Sequence, residues 1–315
     1  MNHFSVCRPV PFNFQLSDLT LFSISLPLQV KAESLFSQSV IEEDPWVPSN
    51  DLMNESQGFV IRSLPIVTEL PLLSKKDGFL RYVPLQYNHY YIDLRQTFEE
   101  YIKQFSSKTK STIIRKVRKY AKHCGGSIPW KTYQNTNDIR EFFELARKVS
   151  VKTYQERLFD SGIPDSEDFI SNAESLAQDN SLRAYILFDG QRPISYLYCP
   201  VKEGVLVYDY LGYDPEYAKM SPGTVLQWLA LEHLFEEKKF LYFDFTEGES
   251  EHKRLFATHK RKCANIFFIK QNFKNKTIVC GHIIMNSISK RFGSIFDKLG
   301  LKTKIKRYLR FGKEY

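Results

Sequence analysis

Apolar and polar positions along the chain change period several times, and each change predicts an element. From Asp138 to Tyr154 the residues Ile139, Phe142, Phe143, Leu145, Ala146 and Val149 recur at helical spacing behind a cap-rich stretch from Asn135 to Asp138. A second helix is predicted over Ser166 to Gln178. Three strand-like runs follow: Leu182 to Phe188, Pro193 to Val201 and Gly204 to Leu211. The short turns Asp189-Gly190-Gln191-Arg192 and Lys202-Glu203 between them make an antiparallel meander. Ser221 to Glu237 spaces Val225, Leu226, Trp228, Leu229, Leu234 and Phe235 as a helix, and Lys239 to Phe245 is a compact β-rich run behind it. Glu249 to Thr258 is expected as a further helix and Cys263 to Lys270 as a further strand. With the alternating stretch from Ser127 to Tyr133 in front, the order is β-α-α-β-β-β-α-β-α-β.

The chain before and after this block is patterned differently. Eight of the fourteen prolines precede Leu85, among short apolar segments such as Gly58 to Ile66 and Phe79 to Leu85. Residues 1–90 therefore read as an irregular N-terminal region with short strands. Glu99 to Phe105 is apolar at helical spacing, and Lys108 to His123 is a basic helix joined to it near Ser106. Near the C-terminus Ile288, Phe292, Ile295, Phe296 and Leu299 keep one apolar face, and Leu301, Ile305 and Leu309 keep another after Gly300. Two short amphipathic helices are predicted there. The expected domains are 1–90, 91–280 and 281–315.

Composition narrows the class. A chain of 315 residues with 43% hydrophobic and 15% aromatic content buries a substantial core and fits neither a disordered nor a repeat protein. Five widely spaced cysteines without a CxxC pair or a Cys/His zinc spacing read as reduced thiols, and no metal is expected. The start lacks a basic region followed by an apolar run, and Leu19 to Val30 is too short and too interrupted to span a bilayer. The expected location is cytoplasmic. The net charge of +8 is uneven, because nine basic residues between Asn286 and Tyr315 face only Asp297 and Glu314. That segment supplies +7 of the total. The high pI therefore does not mark the body as nucleic-acid binding. The tail could pack on the body or attach peripherally to an anionic membrane.

Two segments carry candidate chemistry on their own residues. Ser221 can cap a helix whose first position, Pro222, has no N–H to leave unpaired, and Gly223 allows a ligand close to the backbone, so this helix start suits a diphosphate. The same start also occurs with no ligand. Arg115, Arg118, Lys119 and Lys122 form one cationic helix face that could hold a phosphate or a nucleotide-sugar diphosphate, or remain a solvated stripe.

Three segments in order carry a family likeness: Arg115-Lys116-Val117-Arg118-Lys119; Tyr213-Asp214-Pro215-Glu216-Tyr217 running into Ser221-Pro222-Gly223-Thr224-Val225-Leu226; and Asp244-Phe245-Thr246-Glu247-Gly248 followed by His252-Lys253 and Phe256. Over roughly Tyr91 to Lys270 the chain resembles the acyl-CoA N-acyltransferases of the GNAT fold, in the CelD-like branch related to the Fem aminoacyl transferases. It departs from that branch where Thr246 stands for the usual Gly and His252 for a frequent Tyr, and where the glycine-rich pyrophosphate loop shrinks to Ser221-Pro222-Gly223.

The resemblance implies an α/β fold with a central mixed, mostly antiparallel sheet flanked by helices, to which the N-terminal region is added. It implies acetyl-CoA or another acyl-CoA as co-substrate and a small-molecule amine as acceptor, such as an amino sugar or a nucleotide-sugar precursor of a surface polysaccharide. The donor would lie on Tyr210, Leu211, Ser221, Gly223, Thr224 and Val225, with the strand end at Tyr208 to Leu211 holding the thioester carbonyl by its backbone N–H groups. Asp244, His252 and Glu247, with Glu249 nearby, are the candidate acid and base, Asp244 foremost. Arg115, Arg118, Lys119 and Lys253 are the candidate acceptor ligands. Two other readings stay open: a Fem-like transfer from aminoacyl-tRNA, the one case in which nucleic acid is a partner, and a non-catalytic membrane-associated scaffold of the same fold.

Overall fold

The computed structural model describes residues 5–16, 19–32, 52–153 and 162–298. The chain opens with strands β1 (Ser5–Leu16), β2 (Leu19–Ala32), β3 (Gly58–Pro65), β4 (Leu73–Lys76) and β5 (Phe79–Asp93). Helices α1 (Phe98–Lys103) and α2 (Ser107–His123) follow, then β6 (Trp130–Tyr133), α3 (Thr136–Ser150) and α4 (Glu167–Gln178). The strands β7 (Leu182–Asp189), β8 (Arg192–Lys202), β9 (Val205–Val207) and β10 (Tyr210–Tyr213) lead through a 3-10 helix, Pro215–Met220, into α5 (Pro222–Glu237). Then come β11 (Tyr242–Asp244), α6 (Glu251–Phe256), β12 (His259–Lys270) and α7 (Phe273–Lys298). These elements form two compact units, one holding the described residues up to His89 together with Arg261 to Lys298, the other holding those from Tyr90 to Lys260.

In the first unit β1 and β2 form a long antiparallel hairpin whose inward residues Val10, Phe12, Phe14, Leu26, Leu28 and Val30 are buried. β2 runs parallel to β3, and β3 pairs antiparallel with β12. The expectation of an irregular region with short strands is corrected here. Its prolines include Pro9 and Pro11 on β1, whose described ladder lies on β2 alone, and an edge strand tolerates residues that donate no ladder bond. The pairing of β12 with β3 also draws Arg261 to Lys270 into this unit, away from the expected domain 91–280. The predicted helix before Gly300 lies within the single long helix α7, and the one over 301–309 falls outside the described residues.

The second unit is a mixed, mostly antiparallel sheet flanked by helices. Its neighbours run from the end of β5 through β11, β9, β8 and β7 to β6, and β9 with β11 is its parallel pair. On one side α5 buries Val225, Leu226, Trp228, Leu231, Leu234 and Phe235 in a core shared with Tyr101, Ile113, Tyr120, Phe243 and Phe256. On the other, Ile139, Phe142, Phe143, Ala146 and Val149 of α3 meet Leu182, Ala184, Ile186 and Tyr198 of β7 and β8. Burial of each large side chain contributes about 1.5–3 kcal/mol, so the two cores set how the sheet is held. Among the described residues no helix is long and apolar enough to cross a membrane.

Candidate active site

The run expected as one strand, Gly204 to Leu211, is broken. Leu206 pairs with Val201 and Tyr210 with Tyr198, so Val207, Tyr208 and Asp209 stand against only Cys199 and Pro200 on β8. The surplus residue makes a bulge that bends the chain between β9 and β10. The parallel pairing with β11 ends at the same place. Tyr208 donates its N–H to the Asp244 carbonyl at 2.8 Å, while the next residue, Phe245, donates instead to Tyr90 at 3.1 Å. Beyond that bond β10 and β11 part.

Ladder alternation then decides what faces the opening. Asp214 donates its N–H to Ile194 at 2.8 Å, and the Gly212 carbonyl accepts from Ser195 Oγ, so even-numbered residues of β10 turn to β8. Leu211 and Tyr213 turn their backbone polar groups to the opposite side, into the splay. Of the expected donor residues Tyr210 and Leu211, the backbone of Leu211 is thus the one offered there. Tyr210 packs its ring near Phe169 and Tyr198.

At the start of α5 the geometry differs from the capped helix end expected. Ser221 is left-handed, with φ 55° and ψ 48°, and its side chain caps nothing, because the turn from the 3-10 helix uses it as the hinge between two helices. The Ser221 carbonyl accepts from both Thr224 and Val225, at 3.0 and 3.1 Å. Gly223 is buried, and a Cβ on it would lie 3.2 Å from Leu211 Cδ2 and 3.6 Å from a Tyr213 ring carbon. The close approach that glycine permits is made by the protein's own side chains. Val225 is buried in the core, and Thr224 is half-buried.

The loop after β11 gathers the acid and base candidates. Asp244 Oδ1 accepts the Thr246 N–H at 2.7 Å, fastening a turn in which Thr246 has φ 60°. That left-handed backbone explains why a glycine suits this position, and Thr is a strained occupant of it. Lys253 Nζ donates to the Glu247 carbonyl at 2.7 Å, closing the loop from within. Burial lowers the Lys253 pKa, and Asp244 and Glu247 pull it back up. Glu247 and Glu249 are exposed.

His252 lies on the inner face of α6, one turn before the buried Phe256, with its ring 5.1 Å from that of Phe256 and 6.2 Å from that of Tyr208. Its Nε2 is shut off from solvent and has no hydrogen-bond partner. Burial, then Lys116, then Lys253 push its pKa down to about 4, so the imidazole is neutral at pH 7.

Of the basic residues of α2, Arg115, Arg118, Lys119 and Lys122 line one groove with Lys110 and Ile114. Lys119 also donates to the Lys219 carbonyl at 2.9 Å, beside the start of α5. Lys116 turns the other way, with Nζ 3.5 Å from Thr224 Oγ1 and close enough to His252 to depress it. Burial, and then Arg115, lower the Lys116 pKa, and no carboxylate offsets this. The cationic stripe drew attention away from Lys116. A signal for its inward position exists, since it lies three residues after Ile113 and four before Tyr120, both fully buried. The structure thus brings Leu211, Thr224 and Lys116 to the start of α5, and His252 to Lys116. Arg115 and Arg118 stand on the exposed side of α2.

Residues 107–254 match a family model described as an acetyltransferase (GNAT) domain. No curated protein matches the chain in sequence. Among solved structures it is similar to the C-terminal DUF2156 domain of an Agrobacterium fabrum protein, at 11% identity and TM-score 0.48, with 73% of this chain and 72% of that one covered. L-PGS from Bacillus licheniformis is similar at 12% identity and TM-score 0.46, with 72% of each chain covered. FemX is similar at 12% identity and TM-score 0.41, over 62% of this chain and 64% of that one.

Proposed function

We propose, on the footing that residues 107–254 form an acetyltransferase domain of GNAT type, that this protein transfers an acyl group from a coenzyme A thioester to an amine. The observation that carries this reading is the splay between β10 and β11. It turns the Leu211 backbone N–H toward a site beside α5, where that group can stabilise the oxyanion of a tetrahedral intermediate. In the reaction the amine nitrogen bonds to the acyl carbon, the C–S bond breaks, and the amine gives up a proton as the thiolate departs. His252 is the base candidate this geometry favours, because its Nε2 has no hydrogen-bond partner among the described residues. Asp244 already accepts the Thr246 N–H, which lowers its standing as first candidate. Glu247 is exposed, and Lys253 is bound into the same loop, where it is better suited to positioning than to free acceptor contact.

The residues at the start of α5 fit an anionic donor through side chains, since Lys116 and Lys119 flank it. The proposed acceptor is an amino sugar or its nucleotide-linked form, with Arg115 and Arg118 as phosphate ligands. A panel of acyl-CoA thioesters with amino-sugar nucleotides, monitored by thiol release, tests the reading. We expect acceptor-dependent release that falls about 10²–10⁴-fold in His252→Ala. No release with any pair would sink it.

A second reading, transfer from aminoacyl-tRNA, is favoured by the groove along α2. Lys110, Arg115, Arg118, Lys119 and Lys122 line it, a spread of cations suited to a phosphate backbone. A cytoplasmic location with peripheral contact to anionic membrane through residues 286–315 belongs to either reading, with α7 free of carboxylates from Phe273 to Phe296.

A further inference from the structure

The start of α5 has little hydrogen-bonding capacity left for an anion. Pro222 has no N–H, and those of Thr224 and Val225 both go to the Ser221 carbonyl. A Cβ on Gly223 would meet Leu211 and Tyr213, so its Cα side is filled by the protein's own side chains. With Pro222 lacking an N–H and Thr224 bent back to Ser221, the Gly223 N–H is the one first-turn amide left for an anion, a poorer phosphate cradle than several convergent amides. Side chains from α2 stand in that place. Lys116 Nζ lies 3.5 Å from Thr224 Oγ1, half-buried, with no carboxylate paired to it among the described residues. An ammonium carries three donors, and a single long contact to a hydroxyl leaves most of that capacity unused. Lys119, three residues on, donates to the Lys219 carbonyl just ahead of α5.

His252 supplies an independent observation. Its Nε2 is enclosed, unpartnered and near Lys116, so a second polar group at this spot lacks a partner within the protein. A buried nitrogen left without a hydrogen bond and a half-buried cation left without an anion are both costly. A bound group that carries negative oxygens relieves the cation, and the reacting amine relieves the imidazole.

We propose that Lys116, flanked by Lys119, is the phosphate ligand of the acyl donor and takes the place of the backbone amides of α5. The inference rests on the donor reading above. Phosphate esters of two origins fit it, the diphosphate of coenzyme A and the phosphodiester at the CCA end of an aminoacylated RNA, and the experiment separates them.

Titration calorimetry on the full chain uses three probes: coenzyme A, pantetheine, which keeps the thiol arm without phosphate, and a short RNA ending in CCA. We expect the wild type to bind one of the two phosphorylated probes more tightly than pantetheine. Lys116→Met weakens that binding roughly 10- to 100-fold, the loss of one charge-assisted hydrogen bond, and leaves pantetheine unaffected. Lys116→Arg restores most of it. Undiminished binding in Lys116→Met overturns the inference and leaves the donor reading standing. Wild-type binding to neither phosphorylated probe removes the donor reading, and this inference with it. Circular dichroism melts check the fold, and should Lys116→Met not fold, the Lys116→Arg and Lys116→Gln pair decides by the same criterion.

Discussion

His252 of α6 makes the burial of a polar side chain measurable. Its folded pKa of about 4 lies below the ordinary 6.5, with burial, Lys116 of α2 and the adjacent Lys253 as causes and the Tyr208 and Phe256 rings as its other neighbours. The unfolded chain therefore binds a proton that the native protein refuses between pH 6.5 and 4. Stability from this group is fully present above pH 6.5 and lost as the pH falls through that window, by up to about 3 kcal/mol. Urea unfolding of wild type and His252→Gln across pH 4 to 7 is expected to show a flatter acid limb in the variant. Parallel limbs would show that the imidazole is not held neutral. The order of Asp244, Glu247, His252 and Lys253 pointed to this segment as a candidate from sequence alone. That Asp244 is already engaged was not legible, because it depends on a 2.7 Å bond from the Thr246 N–H that no sequence pattern announces.

At the scale of elements, helices and hairpins whose period follows from local residues were readable, and those set by distant partners were not. The strands β7 and β8 match the predicted runs, since a Gly-containing turn and continuous apolar residues define both ends. The break between β9 and β10 was invisible, because Leu206, Tyr208 and Tyr210 continue an ordinary alternation and the bend comes from pairing with β11 and β8. Helix α5 shows another distant constraint. Arg183 on β7 is fully buried and grips Glu237 at the last turn of α5 through Nε at 2.8 Å and a second nitrogen at 2.7 Å, with the Phe240 ring 5.0 Å from its guanidinium. Glu237→Gln leaves that cation without its counter-charge and is expected to cost about 3 kcal/mol. The Arg183→Met, Glu237→Leu double variant is expected to recover much of that loss. A chemical-denaturation cycle measures the coupling, and additive single effects would count against a tight ion pair.

For the whole molecule, the N-terminal strands up to His89, β12 from Arg261 and α7 make one unit, and Tyr90 to Lys260 make another. The basic C-terminal segment begins on α7, where Phe273, Ile284 and Ile288 are exposed and the first carboxylate is Asp297. That face, with the cations that follow it, is expected to give salt-sensitive co-sedimentation with anionic vesicles and none with neutral ones. Each basic residue near the surface adds on the order of 1 kcal/mol. Equal pelleting with both vesicle types, or none with either, would refute the attachment. The discontinuity of the first unit also bears on how a ribosome delivers it. β3 emerges with β2 on one side, but its other neighbour, β12, lies beyond residues 66–258, a delay of roughly 10–40 s at ordinary elongation rates. Through that interval the nascent chain carries an open strand edge bearing Phe59, Val60 and Ile61. The segment matching the GNAT domain, by contrast, is continuous and is synthesised before that edge is closed. Order of synthesis thus leaves the N-terminal unit, not the segment that matches the GNAT model, as the stage at which chaperone dependence is expected.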